Sequence, residues 1–448
     1  MLKSFAIKTL GCRANQYDST ALEEMLKEEG LERVDTVEEA DAFIINTCTV
    51  TSKTDSEARQ LVRRIRRANP DTVIIVTGCY AQVYPERIKE LGCVDYILGN
   101  PDKARIAECI RAGRPSEGRI IVGNWQEGTP LSLRIKRPSA RTRVNLKVQD
   151  GCNKTCSYCI IPKARGRSKS LPLEEVLRDI ETLIEQGVKE FVLTGIHLGT
   201  YGLDLSPETD ITGLIRTIEE RGYPARFRIS SLDPDELTDE LIEILSSAKS
   251  ICPHMHLPVQ SGDDHILRLM RRPYTAELFR NKVLRLYEKV KHIAIGVDIM
   301  VGFPGEGERE FINSLKLMEE LPISYMHIFP YSVRPGTAAA DFPGRVDGRL
   351  VKQRVQRLKE LDREKRLSFY LAQIGSVKKV IVESRRDRKT GLLCGRTENY
   401  IPTLLDGDDT LMGKEVSLRL TEASPQGMKG VLYEKREAFE ETGREATG

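Results

Sequence analysis

The chain has 448 residues, 40% hydrophobic and 30% charged, with 69 basic against 66 acidic side chains and a net charge of +3. At roughly 150 residues per domain this length predicts about three domains, and apolar segments recurring along it exclude a mostly disordered chain. No apolar run reaches the roughly 18 residues a membrane span needs. MLKSFAIKTLG carries no apolar stretch followed by a cleavage site, so the expected compartment is the cytosol.

The first stretch alternates strands and helices. Strands are predicted at 5–10, 41–46 and 72–77, with helices at 16–29, 54–68 and 82–91. Such alternation predicts an open parallel α/β sheet with covering helices. The polar segment 113–141 reads as a linker. A longer α/β run follows, with candidate strands at 145–149, 191–194, 226–230, 254–257, 294–300 and 325–329. Six βα units fit a partial or full barrel. A charged helix over 349–372 closes it, and the texture then changes. VKKVIVESRR, GLLCGRT, YIPTLL and EVSLRL read as short strands of a small all-β barrel. The boundaries expected are 1–125, 138–370 and 373–436, with a charged, frayed tail over 435–448.

Ten cysteines without a secretory signal argue for packing residues, metal ligands or catalysts rather than disulfides. Cys152, Cys156 and Cys159 lie within eight residues at CxxxCxxC spacing, just after a predicted strand. A loop this tight aims three thiolates at one centre, and soft thiolates select iron–sulfur clusters or zinc. Structural zinc takes four protein ligands, and no fourth Cys or His lies nearby in the sequence. A cubane cluster held by three thiolates keeps one iron open. Cys12, Cys48 and Cys79 each follow a predicted strand of the first sheet. Ligands bind at the carboxyl edge of such sheets, so these three distant thiols are expected to converge on a second cluster. The alternative is three cysteines capping strands within a core. Cys93, Cys109, Cys252 and Cys394 read as small hydrophobes, and Trp125, in the linker, is uninformative.

With an aromatic before its last cysteine, CNKTCSYC resembles the radical S-adenosylmethionine superfamily. LGCRANQYDS, INTCTV and TGCYAQ resemble the N-terminal domain of its methylthiotransferases. LTGIHLGTYG, HLPVQSGDD, MRRPYT, DIMVGFPGE and YSVRPGTAA continue that resemblance in order, and the C-terminal strands look like a TRAM RNA-binding barrel. The run after Cys12 and the run 194–199 look most like the MtaB-type branch, which modifies threonylcarbamoyladenosine in tRNA. Leu257-Pro258-Val259-Gln260 and Gly307 depart from the family pattern.

The resemblance implies two [4Fe–4S] clusters, one on each cysteine trio, with S-adenosylmethionine as cofactor. It implies a methylthio group placed on C2 of the modified adenosine beside the anticodon. Isopentenyladenosine in tRNA and a ribosomal-protein aspartate are the family's other targets, and an RNA-binding protein with structural metal is the non-enzymatic rival. Tyr158, Thr194, Gly195, Ser231 and Gly302 are expected to meet the cofactor. The turn at 302–306 is equally a plain Gly–Pro turn, and His197 and His327, taken alone, are structural histidines. tRNA, an electron donor and a sulfur source are the expected partners, and no membrane is. Acid-poor basic runs tilt toward a polyanion, with Arg134, Arg137, Arg141, Arg143, Lys163 and Arg165 the expected RNA contacts. Arg59, Arg63, Arg64, Arg66 and Arg67 form a further basic run.

Overall fold

The computed structural model describes residues 2–125, 131, 133–137 and 143–433. They form two compact units, Met1–Lys365 and Arg366–Gly448.

The first unit opens with strands β1 (Ser4–Thr9), β2 (Glu32–Arg33), β3 (Ala42–Thr47), β4 (Val73–Gly78), β5 (Tyr96–Leu98) and β6 (Arg119–Ile121). They form one sheet in the order β2-β1-β3-β4-β5-β6, and every pairing is parallel. The central strands AFIINT and VIIVTG are buried at every residue. Continuous apolar runs are what a parallel strand needs when helices cover both its faces. Two separate apolar clusters, one around Ile45 and Ile65 and the other around Ile44 and Leu26, fill those faces.

The helix expected over 82–91 is broken into Cys79–Val83 and Pro85–Lys89. Pro85 has no amide to donate and pushes Tyr84 out of helical geometry, to φ −133 and ψ 52. The segment read as a linker contributes the sixth strand, β6. The expected Lys435–Gly448 tail lies outside the described residues.

The second run builds β7 (Arg143–Lys147), β8 (Gln149–Asp150), β9 (Lys169–Ser170), β10 (Glu190–Thr194), β11 (Arg226–Ile229), β12 (His254–His256), β13 (Ala294–Val301) and β14 (Tyr325–Pro330). β8 and β9 form a short antiparallel pair. The other six are parallel, in two three-stranded sheets, β7-β10-β11 and β12-β13-β14. Single parallel bridges, Phe227–Ile251 and Ser231–His256, join β11 to β12. The six therefore follow chain order around an open, partial barrel. Intervening helices such as Leu173–Glu185 and Ile211–Arg221 bury Leu177, Ile180, Leu214 and Ile218 against it. The charged helix is Gly348–Leu371.

The second unit is a closed five-stranded barrel, β15 (Val377–Arg386), β16 (Leu393–Thr397), β17 (Pro402–Leu405), β18 (Glu415–Ser424) and β19 (Gly427–Leu432), in the order β15-β16-β17-β19-β18. Four strands were expected. The fifth, GMKGVL, has two glycines and no clean alternation, so it carries little strand signal. Val380, Val382, Leu393, Leu418 and Leu420 fill this barrel. Among the described residues no helix is long and apolar enough to cross a membrane.

Candidate active site

Cys48 and Cys79 stand directly after β3 and β4, and Cys12 three residues past the end of β1; the three strands are neighbours. The parallel sheet thus brings the three to one edge. Their approach is close. Gly11 has φ +103, and a Cβ there would lie 2.4 Å from the Cys48 Cβ and 2.8 Å from its Sγ. Gly78, at φ +97, presses onto the Thr47 carbonyl in the same way. Only glycine takes these backbones without strain. Burial pushes the Cys48 thiol up to about 12, and the neighbouring thiols of Cys79 and Cys12 push it the same way. Cys12 has open surface, yet the walls around its sulfur desolvate it and raise its thiol.

Cys152, Cys156 and Cys159 lie on the loop between β8 and β9. Gly151 turns the chain at φ +75, where a Cβ would meet the Arg167 carbonyl at 2.0 Å. The loop closes by Cys152 N–H to Gly166 O at 3.0 Å and Cys159 N–H to Cys156 O at 3.1 Å. The Cys152 Sγ accepts from the Lys154 amide at 3.4 Å and lies 3.5 Å from His197 Nδ1. The Cys156 Sγ accepts from Arg272 at 3.3 Å. Burial raises the Cys159 thiol to about 12, and Cys156 and Cys152 add to the shift. Each trio is soft and acceptor-rich, with cationic donors nearby. That is the donor set a thiolate-held cluster needs.

A cavity of about 200 Å³ opens beside Cys159. Its walls include Val50 and Thr51, just past Cys48, Tyr158 and Cys159 of the other loop, and Asp298, Met300 and Phe329 of the barrel. Arg334 bridges its rim, donating from the barrel side to Thr49 O at 2.8 Å and to Asp55 at 2.8 Å.

The expected cofactor residues ring the carboxyl ends of the barrel strands. Thr194 ends β10, and Gly195 packs where a Cβ would meet Gln149 at 2.7 Å. Ser231 follows β11 and lies 2.8 Å from His256 Nδ1. Gly302 follows β13 at φ +80, its amide donating to Glu306 at 3.0 Å. Tyr158 meets Phe303 edge-on and lines the cavity.

The expected RNA contacts are split by the fold. Arg165 is 1% exposed. It is held by Asp150 at 2.8 Å, by Asp18 at 3.2 Å and by Asn15, beside the first trio. That burial replaces the RNA role read for it with an internal one. Arg134 is likewise committed to Glu175 and Asp179, and Arg143 reaches Glu190 at 3.7 Å. In the further basic run, Arg66 is committed to Asp95. Arg137 and Lys163 are exposed, and Arg141 lies outside the described residues.

Further residues complete the centre. Lys103 and Lys147 join Arg165 around Asp18 and Asp150, all buried. Burial pushes the Asp18 carboxyl up, but Lys103, Lys147 and Arg165 outweigh it and hold that carboxyl well below the usual range. Asn100 donates to Ala164 O at 2.8 Å and lies 3.7 Å from the Cys79 Sγ. Trp125 is informative after all. Its ring packs on Gly166 and under Lys169, whose Nζ lies 3.6 Å from the ring centre. His197 is more than structural packing, since it joins Cys152 to Glu236. Burial pushes its pKa down, but bonds to Cys152 and Glu236 raise it to about 9.

Residues 4–99 match Uncharacterized protein family UPF0004, residues 146–318 the Radical SAM superfamily, and residues 371–432 the TRAM domain. The chain is 37% identical to the threonylcarbamoyladenosine tRNA methylthiotransferase MtaB of Bacillus subtilis, over 94% of each chain. The chain belongs to the radical SAM methylthiotransferase family. This methylthiotransferase is also 38% identical to the Aquifex aeolicus protein of the MtaB name, covering 90% of this chain and 96% of that one. It is 34% identical to a tRNA-2-methylthio-N(6)-dimethylallyladenosine synthase of Pelotomaculum thermopropionicum, over 96% and 98%. Among solved structures it resembles the radical S-adenosylmethionine methyltransferase TsrM of Kitasatospora setae, with TM-score 0.55, 17% identity and coverage of 76% and 77%. That likeness establishes a shared fold. The radical SAM fold of the methylthiotransferase implies a [4Fe–4S] cluster and S-adenosylmethionine.

Proposed function

We propose that the protein adds a methylthio group to C2 of N6-threonylcarbamoyladenosine beside the anticodon of tRNA, in the cytosol, with Cys12, Cys48 and Cys79 holding a second [4Fe–4S] cluster. One observation carries this reading: the parallel sheet gathers Cys12, Cys48 and Cys79 at one edge, and Val50 and Thr51, just past Cys48, wall the same cavity as Cys159 of the other trio. When bound, the clusters and S-adenosylmethionine supply the hydrogen-abstracting radical, the sulfur and the methyl group. An electron donor and a sulfur source are required partners.

The chain's own residues do the positioning. Gly11 and Gly78 let the first trio close, and Gly151 does so for the second. Arg165, buried among Asp18, Asp150 and Asn15, places a permanent cation beside the first trio. Such a cation stabilises thiolates bound to iron. His197 and Arg272 donate toward Cys152 and Cys156 and steady that charge. Met300, Phe329 and Tyr158 line the cavity with apolar surface, which keeps water from a radical. Tyr158, Thr194, Gly195, Ser231 and Gly302 are the proposed cofactor contacts. Arg137, Lys163 and the second unit's barrel hold the RNA, and a splayed loop base is the form in which a nucleotide enters such a cavity.

The threonylcarbamoyl branch is favoured by the two MtaB-named relatives at 37% and 38% identity. The second reading is isopentenyladenosine in tRNA, supported by relatives of the dimethylallyladenosine name at 32–34% identity. Mass spectrometry of tRNA nucleosides from cells lacking this protein tests both. Loss of 2-methylthio-threonylcarbamoyladenosine is expected. Its retention in cells with no second such enzyme, or loss of only the isopentenyl derivative, defeats the assignment.

A further inference from the structure

We propose that His256, Asp298 and His327 form a binding site for a divalent first-row transition cation, separate from both thiol trios and not required by the reading above. The strand register builds it. Asp298 on β13 pairs directly with His327 on β14, while His256 on β12 pairs with Gly296. Gly296 and Asp298 are two residues apart, so they face the same side of the sheet.

Asp298 Oδ1 lies 3.2 Å from His256 Nε2 and 3.1 Å from His327 Nδ1. The three donor atoms all lie within 4.8 Å of one another. A cation bonded at about 2.0–2.2 Å to imidazole and carboxylate ligands has donor-to-donor edges of roughly 3 to 3.5 Å. The two edges fit without movement. Two imidazoles and one carboxylate suit iron, zinc or their neighbours, and three protein ligands leave coordination positions open.

His256 is oriented for the same site from its other nitrogen. It is 7% exposed, and its Nε2 faces Asp298 Oδ1 at 3.2 Å. Its Nδ1 lies 2.8 Å from Ser231 Oγ. An Nδ1–H donated to that hydroxyl leaves a bare Nε2 lone pair facing a carboxylate oxygen. A cation takes that lone pair in place of the proton that the other tautomer directs at Asp298. A ligand histidine whose other nitrogen is tied to an outer hydroxyl has its tautomer and ring direction set for metal. Access is open, because the His327 side chain is 58% exposed and Asp298 lines the cavity. The comparable group His197, Asp233 and Glu236 is already filled, since the Lys154 ammonium lies 2.6 Å from Asp233 and 3.2 Å from Glu236.

Zinc is the probe. Cluster-loaded protein is stripped with a chelator, dialysed to equilibrium against Zn²⁺, and assayed for zinc and iron. One zinc per chain is expected in the parent and absent from Asp298→Asn and His327→Gln at unchanged iron content. His327 is exposed, so its replacement leaves folding intact, and a matched melting temperature checks this. Ser231→Ala is expected to weaken zinc binding about 10- to 100-fold. Zinc taken up by cysteines is common to parent and variants, so the difference isolates this site. Equal zinc in the parent and both ligand variants overturns the proposal, whether all bind it or none does.

Discussion

Cys48 and Cys156 belong to different thiol trios, and single replacements separate their proposed roles. Two [4Fe–4S] clusters hold about eight irons. Cys48→Ala is expected to leave about four, with reductive cleavage of S-adenosylmethionine retained. Cys156→Ala is expected to leave about four and abolish that cleavage. Iron analysis with quantification of 5′-deoxyadenosine checks both, and loss of all iron from either variant contradicts two independent sites. Arg165 carries a different burden. It is the large side chain that ties Asp18 and Asp150 to the base of the first trio. Removing one partner of a buried ion pair costs about 3–5 kcal/mol. Arg165→Met should destabilise the protein by that amount in urea unfolding, and Arg165→Lys by less. A cost near zero would show the network to be dispensable. From sequence, Arg165 reads as one of four cations in an acid-poor run. Asp18, which decides otherwise, lies 147 residues away. Local charge pattern carries no information about so distant a partner.

At the scale of elements, the barrel's opening strands are locked by a buried charge cluster with a definite pH signature. Glu190 on β10 is paired in register with Arg226 on β11 and Arg143 on β7. Its carboxylate lies 2.6 Å from Arg226 and 3.1 Å from Arg228. Burial pushes Glu190 up, but the guanidinium groups of Arg228, Arg226 and Arg143 overcome it and hold the group down at about 2. The folded value lies below the unfolded one, so the stabilisation is full above the unfolded value and is lost as pH falls toward 2. About 1 kcal/mol should be gone by pH 4. Guanidinium unfolding at pH 6, 5 and 4 checks this, and Glu190→Gln should flatten that part of the pH dependence. An unchanged slope in the variant would place the titration elsewhere. The strands themselves were legible because burial on both faces demands unbroken apolar runs. The break at Pro85 follows from proline's missing donor, and the missed β19 from its glycines.

For the whole molecule, the proposed tRNA contact is a prediction about salt and about parts. Binding through phosphates should weaken with salt by about 0.7–0.9 log units per contact in a log–log plot. Lys163→Gln and Arg137→Gln should each lower that slope by about one contact. A chain ending at Gln373, which lacks the second unit's barrel, should keep its iron and lose most tRNA affinity. Filter binding across a salt series measures both, and a salt-independent affinity would refute a phosphate-led interface. The sequence alone determined the order of the main strands and helices, the cysteine loop of the barrel and the small C-terminal barrel. Those features are local: they rest on periodicity, on turn chemistry and on ligands within one loop. Only the tertiary structure decided that Cys12, Cys48 and Cys79 stand at one sheet edge and that Val50 and Thr51, just past Cys48, wall the cavity Cys159 lines. It also decided that Arg165 turns inward, that Trp125 braces the cysteine loop, and that His256, Asp298 and His327 share one face. Each of those depends on strand order and on partners far apart along the chain, which composition and spacing do not encode.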